Sequence, residues 1–403
     1  MKILRIIARL NVGGPARHVV WLTSALQDDE FRSQLIAGSV PPGEDDMSYF
    51  AVENNVEPQY IHEMSREISA SDINSLLKIY RQIKAEKPDI IHTHTAKAGT
   101  LGRVAGSMYR WLTWRTLIGR PRRVRMVHTF HGHVFHSYYS PAKTKIFLWI
   151  ERLLANASDR IIVISDQQFK EISSDFRIGN ANKFSIVPLG IDLDAVSDDA
   201  ADRKRLREEF GFHDNDVVVG FVGRLTEIKN LSLLLRTAAL FKNDSNVKFA
   251  IIGDGHMRPS LEAEARELNL DGKLRFLGNR TDIAAVYGSL DIVMLTSLNE
   301  GTPLSLIEAM AAGKPVISTG VGGVKDLLGA EKRTFHGYTL CERGVRIDTF
   351  SPDDYQQGLN YLLENEAERV RVAEQGREFI RKRYSKERLI SDIKQLYRDL
   401  YSE

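Results

Sequence analysis

Apolar and polar positions in this chain fall into an alternation of short apolar runs and longer amphipathic stretches. Residues 3–8 form the first apolar run. A Gly13-Gly14 turn follows, and a helix is expected over about 16–27. A second strand at 31–37 leads into a loop at Pro41-Pro42-Gly43. Helical periodicity covers 73–84, and Pro88 introduces a strand at 89–92. Further strands are expected at 124–130, 161–164 and 184–187, with a helix near 143–157. Short apolar runs bounded by turn residues signal strands, while apolar residues recurring every three or four positions signal a helix. Strands alternating with helices imply parallel βαβ units with helices on both sheet faces.

The alternation pauses at Pro188-Leu189-Gly190-Ile191-Asp192, and the polar, acidic stretch to about Asp202 has the character of a linker. It restarts with strands at 217–222, 247–252, 274–277 and from Asp291, separated by helices at 231–240, 257–268 and 283–287. A strand at 315–318 and a glycine loop at 320–323 follow. The tail from Pro352 is largely helical, with a break near Tyr384-Ser385. The class is α/β, with two Rossmann-like doubly wound domains, 1–190 and 191–384, facing each other. Open sheets of this kind bind ligands beyond the carboxyl ends of their strands, so the cleft between the domains is the expected active site.

Residues 299–315, NEGTPLSLIEAMAAGKP, are the most informative stretch. Thr302 is placed to cap a helix and Pro303 to occupy its first position, where a missing N–H costs nothing. Gly313 can close the helix and Pro315 stops it. A helix N-terminus just past a buried strand offers free N–H groups to phosphate or sugar oxygens. Glu300 lies before this helix and Glu308 inside it. Carboxylates accept hydrogen bonds from vicinal hydroxyls, so both suit a polyhydroxylated ligand. Gly223, Arg224 and Lys229 follow the 217–222 strand. Two cations beside a glycine turn can neutralise a diphosphate as it gathers charge on leaving. The run Ile251-Ile-Gly-Asp-Gly-His lacks a third glycine, because Arg258 stands in its place, so the dinucleotide fingerprint fails.

The strand-end histidines carry a second candidate chemistry. His92 and His94 alternate on one strand, and His128, His131, His133 and His136 cluster after another. His-x-His can ligate zinc. However, residues 90–150 contain no Asp or Glu, and the one cysteine, Cys341, lies elsewhere, so no metal is expected. A hydrogen-bonded core role is the competing reading for each histidine; His131, beside Gly132, is the best placed for a sugar contact. Composition adds limits. The 403 residues exceed one core, and 43% hydrophobic with 27% charged content describes an ordinary globular protein. The net charge of +2 and the lack of a reading motif argue against nucleic acid. One cysteine excludes an internal disulfide and suits a reducing compartment. Arg5 and Arg9 interrupt the first apolar run, which reads as a strand rather than a signal peptide, and no run approaches the roughly 20 apolar residues of a membrane span.

The Gly-Gly first loop, TFHG at Thr129–Gly132, VGRL with Lys229, and EGTPLSLIE from Glu300 to Glu308 together resemble the retaining glycosyltransferases of family GT4. The resemblance spans most of the chain and implies a GT-B fold with a nucleotide-sugar between two Rossmann-like domains. It implies an N-terminal acceptor-binding domain, onto which the last helix (385–403) packs back, and a C-terminal donor-binding domain. Arg224 and Lys229 match the pair that holds the donor diphosphate, with Gly223 beside them. Glu300 matches the acid beside the donor sugar, and Glu308 the acid on the ribose hydroxyls. The backbone of Gly301, Thr302, Pro303 and Leu304 would face the sugar and phosphates, and His131 the sugar near the reaction centre. Gly14 would lie beside the diphosphate or acceptor, and Asn279 and Arg280 beside the nucleobase. Asp326 departs from the family, which more often has Glu there. The implied chemistry is front-face displacement with retention. It needs no divalent metal and no cofactor, since the nucleotide-sugar is a substrate. UDP is the expected nucleotide, with GDP and ADP as alternatives. A GT-B epimerase would need cleft carboxylates from both domains, which the acid-free 90–150 stretch opposes. A non-catalytic nucleotide-sugar-binding module would not need Glu300, Arg224 and Lys229 intact.

The same stretch holds ten Lys/Arg, and its centre, Arg103 to Arg125, mixes Tyr109, Trp111 and Trp114 with seven arginines. Basic residues interleaved with aromatics suit an anionic membrane surface or a lipid-diphosphate acceptor. A core helix followed by a basic loop is the competing reading. The first of these predicts a cytoplasmic enzyme, peripheral on the inner face of the membrane, in cell-surface polysaccharide or lipid-linked glycan synthesis.

Overall fold

The computed structural model describes residues 1–11, 13–41, 46–64, 71–132, 141–193 and 200–403. His133, His136 and the Pro42-Gly43 part of the loop after the second strand lie outside the described residues, as does part of the expected linker. The chain divides into two compact units, Met1–Gly190 with Lys386–Glu403, and Ile191–Ser385.

In the first unit, the strands are β1 Lys2–Ile7, β2 Arg32–Gly38, β3 Gln59–Ile61, β4 Ile90–His94, β5 Arg125–Phe130, β6 Arg160–Val163 and β7 Phe184–Ile186. They form one parallel sheet in the order β3-β2-β1-β4-β5-β6-β7. The order reverses between β1 and β4. That switch point leaves a crevice beyond the carboxyl ends of the two strands, where the crossover connections diverge. β4 is buried along its whole length and β1 except at Lys2, as strands covered on both faces must be. The helix Lys386–Ser402 lies on this unit. Its Leu389, Ile393, Leu396, Tyr397 and Leu400 are buried in one cluster with Ile3, Leu22 and Phe31.

The second unit has β8 Val217–Val222, β9 Val247–Ile252, β10 Leu274–Gly278, β11 Ile292–Leu295, β12 Val316–Thr319, β13 Glu331–Thr334, β14 Tyr338–Cys341 and β15 Gly344–Ile347. Their order is β10-β9-β8-β11-β12-β15-β14-β13. The reversal here falls between β8 and β11. The sequence pattern predicts parallel units throughout, but β14 and β13 join antiparallel, as two consecutive hairpins. These turns are tight, so no crossover helix intervenes and no helical period marks them. Among the described residues no helix is long and apolar enough to cross a membrane.

Candidate active site

The second unit's site is assembled at its switch point. β8 ends in Val222, and the chain turns through Gly223 and Arg224 into the short helix Glu227–Lys229. Asn230 takes a left-handed conformation (φ 48°) to start the helix Leu231–Leu240, a role that asparagine fills with little strain. β11 lies beside β8. The segment leaving β11 therefore runs alongside the segment leaving β8. Thr296 Oγ1 donates to the Lys229 carbonyl at 2.9 Å, and the Leu298 amide to the Ile228 carbonyl at 2.8 Å. This lacing brings Lys229 Nζ to 2.5 Å from Glu300 Oε1, and Ser297 Oγ donates to the same oxygen at 2.6 Å. Both charged side chains are largely shielded. Removing either partner would leave a part-buried charge uncompensated, which costs more than breaking an exposed pair. Arg224 is exposed; its carbonyl accepts from the Thr226 amide at 3.1 Å, and its side chain makes no ion pair or hydrogen bond among the described residues.

Two glycine loops hold these segments by backbone contact. A Cβ on Gly322 (φ +51°) would meet the Glu300 carbonyl oxygen at 1.7 Å, and one on Gly323 the Gly301 oxygen at 2.0 Å. The Gly323 amide donates to Gly301 O at 2.8 Å. Likewise, a Cβ on Gly253 (φ +124°) would meet Gly223 O at 2.0 Å, and one on Gly255 Leu225 O at 2.4 Å. The Gly-Asp-Gly run, which fails as a dinucleotide fingerprint, therefore lets the 253–255 loop lie directly against Gly223 and Leu225.

The helix carrying Glu308 differs at its start from the expected cap. It spans Leu304–Ala311 with Pro303 as the N-cap residue, and no side chain caps it. Thr302 Oγ1 is buried without a hydrogen-bond partner among the described residues. Proline in an extended conformation (ψ 111°) has shifted the start by one residue, so the threonine hydroxyl cannot reach the first-turn amides. Glu308 Oε2 accepts from the hydroxyl of buried Tyr287 at 3.1 Å, a hydroxyl that also lies 3.0 Å from the Ser305 carbonyl. Arg280 is committed elsewhere: both Asp282 oxygens (2.8 and 2.7 Å) and Glu209 (2.6 Å) hold it over the Phe210 ring. Its side chain fastens the Ala200–Phe210 helix to the loop after β10, leaving exposed Asn279 and the backbone as the free parts of that loop.

In the first unit, the strand-end histidines separate into two groups. His92 is fully hydrogen-bonded, through Nδ1 to Tyr397 Oη (2.6 Å) and Nε2 to Thr129 Oγ1 (2.7 Å). His128 Nδ1 meets Thr93 Oγ1 at 2.9 Å. These are core contacts. His94 instead faces His131, with Nδ1 and Nε2 3.0 Å apart, and His18 packs edge-on against both. Burial pushes His18, His92, His94 and His128 well below the ordinary imidazole value and His131 down to about 3. All are neutral at physiological pH. Sequence reasoning missed His18, whose one signal is its place in the first turns of the helix Gly14–Ala25. It also missed Ser297, Tyr287 and the packing role of Gly253 and Gly255. Gly14 opens the helix that carries His18.

The expected basic stretch is not one surface. Arg103 is fully buried, with both Glu151 oxygens at 2.9 and 2.7 Å, and Arg110 pairs with Asp159. Both acids lie just beyond the acid-free segment, so sequence distance hid the pairing. Arg122 covers the Tyr109 ring, and Tyr109 is itself buried. What is exposed is the end of the Ala96–Trp111 helix and the turn Trp114–Ile118. Trp111, Leu112, Trp114, Leu117 and Ile118 all face solvent, with Arg115 and Arg120 among them.

Two doubly wound units, each with polar side chains gathered at its switch point, define the GT-B class of nucleotide-sugar enzymes. Residues 12–195 match the glycosyltransferase family 4 model, and residues 202–379 match glycosyl transferases group 1. Over 322 residues the chain is 31% identical to the UDP-Gal:α-D-GlcNAc-diphosphoundecaprenol α-1,3-galactosyltransferase of Escherichia coli, covering 78% of this chain and 77% of the relative. A D-inositol 3-phosphate glycosyltransferase of Corynebacterium glutamicum is 29% identical, with 77% and 72% covered. The Anabaena protein HepE, solved with UDP-glucose, shares the fold with a TM-score of 0.78 at 20% identity, over 99% of this chain and 100% of that one. The chain belongs to the family 4 glycosyltransferases, and it is an enzyme of the transferase class.

Proposed function

We propose that the protein transfers a sugar, with retention, from a UDP-sugar to an acceptor hydroxyl on a lipid-linked or growing glycan. The observation that carries this reading is the Lys229–Glu300 pair beside exposed Arg224 at the β8/β11 switch point. Residues 191–384 are the donor domain, and residues 1–190 with the last helix are the acceptor domain. Arg224 and Lys229 neutralise the diphosphate as the bond from C1 of the sugar to its oxygen breaks. The acceptor oxygen bonds to C1 from the same face, and its proton passes to the departing diphosphate. Glu300 holds Lys229 in place and presents its second oxygen to the sugar. Glu308, oriented by Tyr287, takes the ribose hydroxyls. Gly301, Thr302, Pro303 and Leu304 line the phosphates and sugar with Gly223; Gly14 and His131 border the reaction from the acceptor side. Asn279 and the Arg280 backbone border the base. Leaving-group stabilisation and positioning carry the chemistry, so neither a metal nor another cofactor takes part.

The finer acceptor reading is a lipid-linked glycan at an anionic membrane surface on the cytoplasmic side. The exposed Trp111–Ile118 segment supports it, together with a second exposed row, Ile146, Trp149 and Leu153, along the helix Pro141–Ala157 of the same unit. Tryptophan and arginine side by side suit the interfacial layer of a bilayer. The central test is turnover of UDP-sugars by Arg224→Ala. Losing one transition-state donor should lower kcat by about 10²–10³. Full turnover by this variant would remove the leaving-group role.

A further inference from the structure

Glu300 is held by a hydroxyl to which the transfer reading gives no part. Two donors converge on its Oε1, Lys229 Nζ at 2.5 Å and Ser297 Oγ at 2.6 Å. The serine contact has the length of a charge-assisted O–H···O⁻ bond. Glu300 Oε2 accepts no hydrogen bond among the described residues, so one oxygen is anchored and the other is left for a ligand. Ser297 is fully buried two residues past β11, on backbone that is itself pinned. The Leu295 carbonyl accepts from Tyr355 Oη at 2.7 Å, Thr296 Oγ1 donates to the Lys229 carbonyl at 2.9 Å, and the Ser297 carbonyl accepts from Thr319 Oγ1 at 2.7 Å. Each of three consecutive residues is thus tied by a hydroxyl to a different neighbouring segment: the helix Pro352–Glu364, the helix Glu227–Lys229 and the end of β12.

The two donors on Oε1 differ in what can draw them away. Lys229 is an ammonium on a flexible four-carbon stem. A diphosphate beside Arg224 competes with Glu300 for it, and does so more strongly as the leaving oxygen gains charge. Ser297 carries no charge for a diphosphate to attract, and its buried oxygen moves about a single torsion. We propose that Ser297 is a positioning residue for sugar transfer: it keeps Glu300 Oε1 anchored as Lys229 turns to the diphosphate, so that Oε2 stays aimed at the donor sugar. This inference rests on the transfer reading and gives Ser297 no contact with substrate. Lys229 and Arg224 hold the diphosphate, whereas Ser297 acts on the sugar alone, through Glu300. Loss of its hydroxyl is therefore felt by a UDP-sugar and not by UDP.

The test compares the full-length parent with Ser297→Ala, Glu300→Ala and the double variant. Ser297→Ala should bind UDP within about twofold of the parent yet lose about tenfold in kcat for the UDP-sugar, the scale of a hydrogen bond to a charged group. In the Glu300→Ala background the same substitution should cause no further loss, since residues that act as a unit are not additive. Urea unfolding of the four proteins reads the contact without substrate. There, Ser297→Ala should lower the folded-to-unfolded ratio about tenfold in the parent and leave it unchanged in Glu300→Ala. Parental kcat in Ser297→Ala, a loss that persists in the Glu300→Ala background, UDP binding weakened as much as kcat, or additive unfolding effects would each overturn the proposal. A parent that turns over no UDP-, GDP- or ADP-sugar would instead sink the transfer reading, and the unfolding cycle would still decide whether Ser297 holds Glu300.

Discussion

At the scale of single residues, close backbone contact decides what can change. Gly322 lies at φ +51° with the Glu300 carbonyl where its Cβ would be. Gly322→Ala should displace the Glu300 loop, lower stability by more than about 1 kcal/mol and reduce turnover together with it. Chemical denaturation and a transfer assay on the same preparation check this; parental values for both would show that the loop has room. His128 offers a pH test. Burial, aided by nearby Arg103, holds its imidazole well below the ordinary range. The unfolded chain takes up a proton near pH 6.5 while the folded imidazole does not. Its contribution is therefore present above about pH 6.5 and is lost as pH falls, at about 1.4 kcal/mol per pH unit. His128→Asn should flatten urea-unfolding stability between about pH 6 and pH 5 by that slope. An unchanged slope would show that other groups govern acid lability.

At the scale of elements, the Lys386–Ser402 helix shows how a distant segment becomes part of a core. Its apolar side chains recur at 389, 393, 396, 397 and 400, and all are buried in the first unit. Tyr397 Oη also reaches His92 and Arg5. Ile393→Ala should cost about 2–5 kcal/mol. Hydrogen exchange should show faster opening of β1, which the helix covers; unchanged protection there would mean that the helix contributes little to this core. The Trp114–Ile118 turn is the opposite case, since its apolar side chains cover nothing. Leu117 is 89% exposed. Trp114→Ser with Leu117→Ser should leave the melting temperature unchanged and reduce binding to anionic vesicles at low salt. Equal vesicle binding by parent and variant would exclude this turn as the contact.

At the scale of the molecule, a donor nucleotide should stabilise the second unit selectively. A ligand at 100 times its Kd adds about 2.7 kcal/mol. A UDP-sugar at that level should raise the unfolding temperature of the full chain, and a GDP- or ADP-sugar should not. The reverse order would reassign the nucleotide while leaving the family intact.

Much of this protein was legible in its sequence. The strands Val217–Val222 and Val247–Ile252 and the helix Leu231–Leu240 fall where the periodicity puts them. Their signals are local, since apolar spacing and turn chemistry act over a few residues. The family motifs were legible for the same reason. The Glu331–Ile347 hairpins were not, because short antiparallel strands carry neither a helical period nor a long apolar run. Contacts between distant segments were hidden as well. Lys229 and Glu300 are 71 positions apart, and only the adjacency of β8 and β11 makes them a pair. Arg103 looked like a surface cation until the fold brought Glu151 against it. His18 looked like a helix residue until β1, β4 and β5 lay side by side and placed it against His94 and His131. Local chemistry thus determined the elements and the class. Sheet order, set by burial of whole strands, decided which polar groups meet, because a side chain's partners are fixed by the neighbouring strand rather than by the neighbouring residue.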